Sequence, residues 1–495
     1  MKSIIRLLSI LLAVVFLMIT GAGCKKETAP DSTSSTVPFV SGRQKIDKEA
    51  LKIKVKREEY VPVSEFTSTY EWRSFAYDSY DGLKLIETRE VPAFFDIPGE
   101  EFRRISPDNG KTWGEWENFS KQVYTYFGKD EMFSFSYMDK IWNETNKHYV
   151  KCETHRLGIG GAKAAEDRSW ATGEFQPDHS YITIIDEKGS EKKQMIRYQD
   201  GPAYIDGGKE MEYSDANICS ITYFTFAGNG DLIIPLSLPV RKCCELSGED
   251  YKLYCPEING NQPGCVLARG VYNKKTGLYD FSYSNPIMIN TSYSSRGLAE
   301  PNVAVLKSGR ILLVFRGSNG NFESWNSHID KSMPPVKWYS YSDNGGKTFT
   351  QPMPWHFDDR EFFYSSATLS TLFRSEKNGA LYWIGNITDK DAEKNGPRYP
   401  LYICQVDDMY GVLKKETLTE IDTCHEGESA DLQLSNWNIL QDRETGNIII
   451  TITKLNLYDN VPDAPKQKNK NGLETTNGGV WKYILTVPED VSLFE

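Results

Sequence analysis

The sequence predicts an all-β chain folded as a β-propeller of seven blades, or of six. Three observations predict it. Strand-like runs repeatedly open on a glycine turn: "NGDLIIPLSL", "SGRILLVFRG", "NGALYWIGNI" and "TGNIIITITK" place Gly230, Gly309, Gly379 and Gly446 roughly 70 residues apart. Between them the chain alternates or carries turn residues, without a convincing long amphipathic helix. A polar octet, "SPDNGKTW" at 106–113, returns as "SDNGGKTF" at 342–349. Spread over about 450 residues, a repeat of this length makes six or seven units, and a radial arrangement protects the edges of such sheets. A strand-rich sandwich is the alternative fold.

At the N-terminus, "MKSIIRLLSILLAVVFLMITGAGCKKE" reads as a secretion signal over residues 1–23. Lys2 and Arg6 precede a short apolar run, and small residues end it, so the run is too short to span a bilayer. Gly21, Ala22 and Gly23 before Cys24 resemble a bacterial lipobox, which implies cleavage there and lipidation of Cys24. The folded part is then expected outside the inner membrane, anchored through lipid at the outer membrane or cell surface, with the periplasm also open. Residues 24–44 are rich in Ser, Thr, Pro and charge and read as a tether; the folded body is expected over 45–495, as a monomer.

The balance of 57 Lys+Arg against 68 Asp+Glu, a net charge of -11, disfavours a nucleic-acid partner. It leaves room for an anionic substrate held by a local arginine cluster. The 28 Tyr and 11 Trp suit a β-protein, and exposed rings can stack on sugars.

Each octet is a tight hairpin: glycine takes positive φ, Asp108 or Asn344 bonds back onto its own loop, and the terminal aromatic tucks beneath. The pair resembles the Asp-box motif, SxDxGxTW, of the sialidase-like β-propeller superfamily, with Asn344 in place of the second Asp. The segment "RGLAEPNVAVLKSGRILLVFRG" at 296–317 also looks like a blade of that superfamily and supplies Arg296, Glu300 and Arg316 as candidate substrate-binding residues. Asp boxes brace hairpins remote from the active face, so they imply the fold and not the chemistry. Sialidases need an arginine triad, a Tyr-Glu nucleophile pair and an Asp acid. The segment "REVPAFFDIPGEEFRRISPDNG" departs from that pattern: Arg89 and Pro92 are out of register, and Asp96 sits in a short connection.

A second class of the superfamily, the propeller ulvan lyases, is closer in residue order. These cleave a sulfated, uronate-rich polysaccharide by β-elimination, which needs an Arg on the uronate carboxylate, a base for the C5 proton and an acid for the leaving oxygen. The order His155, His179, Tyr223, Arg241 resembles theirs and implies those roles. The expected function is therefore a lyase on an acidic polysaccharide. A sialidase-type hydrolase and a non-catalytic glycan-binding lipoprotein are the alternatives.

Nine Cys are present. After Cys24, four of the remaining eight, Cys243, Cys244, Cys255 and Cys265, fall in one loop-rich segment, where a tetrahedral structural zinc and disulfides are both open. No organic cofactor is expected.

Overall fold

The computed structural model describes residues 52–65, 71–92, 99–119, 124–127, 130–158, 178–201, 204–206, 211–256, 259–320, 333–458, 466–468 and 474–489. The expected signal, the lipidated Cys24 and the tether lie outside these residues. Among the described residues, no helix is long and apolar enough to cross a membrane.

Six antiparallel sheets of at least four strands follow one another along the chain, among the described residues. Six is thus the blade count, the smaller of the two expected. Blade 1 comprises Trp72–Tyr77, Leu85–Val91, Glu100–Ser106 and Glu117–Asn118. Blade 2 runs from Tyr124–Phe127 to Glu191–Met195, and blade 3 from Ser220–Ile221 to Leu278–Tyr283. Blade 4 is Ala299–Val305, Ile311–Arg316, Lys337–Ser342 and Met353–Pro354; blade 5 is Thr371–Arg374, Leu381–Asn386, Leu401–Val406 and Thr419–Asp422. Seven was an overcount because the glycine spacing ignores long insertions. Blade 2 alone, with its connection to blade 3, takes the chain from residue 124 to residue 219.

Blade 6 is assembled from both ends of the described chain. Asn438–Gln441, Ile448–Leu455 and Glu474–Thr486 are joined by the first strand, Lys54–Val61, which pairs antiparallel with Glu474–Thr486 from Lys54↔Thr486 to Val61↔Val480. An open edge would otherwise present unpaired N–H and C=O groups; here the first strand covers it and closes the ring.

In blades 3, 4 and 5 the second strand is buried almost throughout, so it reads as a largely apolar run. Leu232–Pro239 is buried at every position. These runs make apolar cores between blades 2 and 3, 3 and 4, 4 and 5, and 5 and 6, the last including Tyr382, Ile384, Ile450 and Tyr483.

The seam between blades 6 and 1 differs. Its core is ionic. Glu87 and Glu71, at 0% and 1% exposure, hold Arg73, Arg89 and Arg104. Tyr60 of the first strand donates to Glu87 Oε2 at 2.9 Å, and Arg104 lies over Trp113 and Trp116. The sequence accounts for this: alternate positions of "WRSFAY", "LIETREV" and "EEFRRIS" carry charge where the other blades carry Ile, Leu or Val.

Both octets join the third strand of a blade to its fourth. Asp108 Oδ1 accepts from Thr112 N at 2.8 Å and Asn344 Oδ1 from Thr348 N at 3.1 Å, while Ser106 Oγ and Ser342 Oγ accept from Gly110 N and Gly346 N. Gly110 and Gly346 sit at φ 83° and 86°, where a side chain is strained.

Candidate ligand site opposite the Asp boxes

In blade 4 the octet marks one end, at Ser342. Register places Ala299, Arg316 and Lys337 together at the other, since Ala299 pairs with Arg316 and Arg316 with Lys337. The inner strand slips register between Ala299 and Asn302, and Glu300, in that slip, takes φ 47°. A bulge re-aims a side chain, and positive φ is uncommon for a residue other than glycine. The re-aimed carboxylate meets Arg316, whose Nη1 lies 2.7 Å from both Glu300 oxygens. Arg316 Nε donates to Ala367 O at 2.8 Å, and its loosest contact is Nη2 to Asn395 Oδ1 at 3.3 Å.

Further cations surround this pair. Lys337 is fully buried, with Nζ against Ser366 O at 3.3 Å and against Thr368 O. Arg398 donates to Ser435 Oγ at 2.9 Å. Burial works to raise the Glu300 pKa, but Arg316, then Arg296 and Lys337, outweigh it and hold the carboxyl below its usual range. Burial pushes Lys337 down to about 7; Arg316 and Arg398 add to the fall and Glu300 opposes it.

Tyr223 lies between the two short inner-strand pieces of blade 3. Its hydroxyl is 3.1 Å from Thr371 Oγ1 of blade 5, which also accepts from Trp437 Nε1 of blade 6 at 3.2 Å. Blades 3 and 5 are not neighbours, so this contact crosses the central channel. Burial pushes the Tyr223 phenol up to about 12, with the Thr371 hydrogen bond opposing and Glu300 adding, so it keeps its proton at neutral pH. The result is a cluster in which Arg296, Arg316 and Lys337 act on one carboxylate and Arg398 on Lys337, with the Tyr223 phenol nearby. Such an excess of cations suits an anionic ligand.

Three of the residues assigned to elimination lie together elsewhere, at the boundary of blades 2 and 3. His155 and His179 are cross-strand partners. His179 Nε2 is 3.0 Å from Ala216 O, while Arg241, in the helix α1 (Val240–Ser247), grips Asp215 through Nη1 and Nη2 at 3.0 and 2.9 Å. Burial, then Lys193, lowers His155 to about 4, and burial lowers His179, so both imidazoles are neutral at pH 7. Tyr223 stands apart from them, in the channel.

The four clustered cysteines do not fit a tetrahedral zinc. Among the described residues, no group of three or more His, Cys, Asp or Glu is placed to hold a metal ion. Cys243 and Cys244 are consecutive helical residues whose side chains diverge by about 100°. Cys243 Sγ packs on Gly264, where a Cβ would approach to 2.7 Å, while Cys244 Sγ meets Met288 Sδ at 3.5 Å. All eight described cysteines are free thiols, and these four fill apolar core.

Lys337, Arg398, Thr371 and Trp437 escaped sequence reasoning. One signal was there: Lys337 opens "KWYSYS", the third strand of a blade already singled out for Arg316.

No family model matches the chain, and no curated protein matches it. Solved structures align over most of it at low identity. A protein of unknown function from Dyadobacter fermentans is 13% identical, with 88% of this chain and 99% of that chain covered and a TM-score of 0.49. A mutant of NanB sialidase from Streptococcus pneumoniae is 10% identical, over 87% and 70%, at a TM-score of 0.49. An α-L-arabinanase from Penicillium chrysogenum is 12% identical, over 88% and 99%, at a TM-score of 0.40.

Proposed function

We propose that the protein is a glycan-processing enzyme that takes a carboxylate-bearing sugar at the channel end opposite the Asp boxes and cleaves it by hydrolysis. The observation that carries this reading is Glu300, held in a left-handed conformation on a channel-lining strand and acted on by Arg296, Arg316 and Lys337. Strained backbone at a non-glycine residue is worth explaining by function. The guanidinium groups bind the sugar carboxylate. Glu300, kept ionised, accepts the Tyr223 proton as the phenol oxygen bonds to the anomeric carbon and the glycosidic C–O bond breaks, the departing oxygen taking a proton from solvent; water then displaces the phenol, which regains its proton from Glu300.

Elimination at the boundary of blades 2 and 3 is the second reading, favoured by the neighbouring His155, His179 and Arg241. Arg241 is paired with Asp215 through both terminal nitrogens, as Arg316 is paired with Glu300 and Asn395, so the pairing of the arginines does not separate the two readings. One assay separates the two. The full chain is incubated with sialyl-oligosaccharides, pectate and ulvan, and both reducing ends and the ultraviolet absorbance of an unsaturated uronate are followed. Reducing ends without that absorbance support hydrolysis; the absorbance supports elimination. Neither product, with no binding of any acidic glycan by calorimetry, overturns the assignment.

A further inference from the structure

Arg316 and Lys337 are register partners on adjacent strands, and they share one object. Arg316 Nε donates to Ala367 O; Lys337 Nζ lies against the carbonyls on either side, Ser366 O and Thr368 O, and 3.4 Å from Thr368 Oγ1. Three successive carbonyls of the connection leading into blade 5 are therefore held by two cations in alternation. The same connection is tied outward as well: Ser366 Oγ donates to Pro397 O, one residue before Arg398, and Ala367 N donates to Lys394 O.

We propose that Lys337 is a positioning residue, an internal clamp on residues 366–368 that seats the Arg316 guanidinium for an anionic ligand. This rests on the reading that Arg316 and Glu300 form the ligand site. A fully buried ammonium is costly, and an apolar side chain would fill the same volume more cheaply. What the ammonium adds is three donors aimed at three acceptors, together with positive charge behind the site.

The groups whose charge reaches Lys337 are Arg316, Arg398 and Glu300. Glu300 is held below the usual carboxylate range, so it stays ionised across the range in which the clamp titrates. Its amine gives up one donor and its charge as pH rises through about 7.

The test needs no knowledge of the true substrate. Amide hydrogen exchange at Ala367 and Thr368 is measured across this pH range, corrected for intrinsic rates, in the wild type, Lys337→Arg and Lys337→Met. Protection in the wild type should fall several-fold as pH rises through the window. It should stay flat in Lys337→Arg, whose charge persists, and be low throughout in Lys337→Met. A flat wild-type profile, or full protection in Lys337→Met, overturns the proposal, and the wild-type profile decides even if a variant fails to fold. Calorimetry with free D-glucuronate and N-acetylneuraminate runs alongside, and affinity should follow the same pattern. If neither sugar binds any form while exchange behaves as expected, the clamp stands and the ligand reading fails.

Discussion

Glu300 is the residue on which the functional reading turns. Glu300→Gln keeps its shape and removes its charge, so turnover on whichever acidic glycan the assay identifies should drop on the order of 10²–10⁴-fold, with melting little changed. Equal loss in kcat and kcat/KM would mark a transition-state role; a rise in KM alone would reduce Glu300 to a binding group. Tyr223→Phe separates two readings of the phenol. Loss of rate on the same scale fits a nucleophile, whereas retained turnover leaves Tyr223 as a link to Thr371 across the channel. At this scale the sequence was partly legible. Arg296, Glu300 and Arg316 sit in one recognisable blade, so their proximity could be read along the chain. Lys337 pairs with Arg316 in that same blade and was legible in the same way; Arg398 was not, because it comes in from blade 5, just before Leu401–Val406. His155, His179 and Arg241 were picked by order alone. Order carried three of them to one boundary, yet Arg241 arrives already paired with Asp215, a partner no spacing announces.

Among the elements, the hairpins and the seam invite separate tests. Asp108 braces the blade 1 turn through Thr112 and Ser106. Asp108→Ala should lower the melting temperature while the folded fraction keeps its turnover, because the turn lies at the end of the blade away from Glu300. A large loss of turnover at unchanged melting would move the site to the Asp-box face. The seam carries more energy per residue. Glu87 is fully buried and answers to Arg73, Arg104 and Tyr60; Glu87→Ala leaves Arg73 its bond to Glu71 but strands the Arg104 guanidinium, and should cost about 3–5 kcal/mol, read as a shift of the denaturant midpoint. A shift below about 1 kcal/mol would mean water reaches the cluster. Apolar blade interfaces were legible because their strands read as unbroken runs of Ile, Leu and Val. The ionic seam was not, since charges at alternate positions read equally well as a solvated face.

The molecule as a whole is held by its closing strand. Removing the chain through Val61 should uncover the edge of Glu474–Thr486, lower stability and promote association, visible by light scattering; a monomeric, fully stable truncation would show that the ring needs no such cover. The repeat predicted the architecture, and inserted loops blurred its count. Closure itself left no mark on the sequence, because "KVKREEYV" looks like any exposed strand until its partner is known.

That strand also sets a schedule. It is synthesised first and pairs with the last, roughly 430 residues later, an interval of about 20–90 s at ordinary translation rates. Blades 1 to 5 can pack as they emerge, but the ring stays open until Glu474–Thr486 is released. During that wait the first strand presents neither a long apolar face nor a neutral edge: Lys54, Lys56, Arg57, Glu58 and Glu59 crowd it with charge. The charges that cost the finished blade little are those that keep an unfinished chain from taking a neighbour's strand as its own.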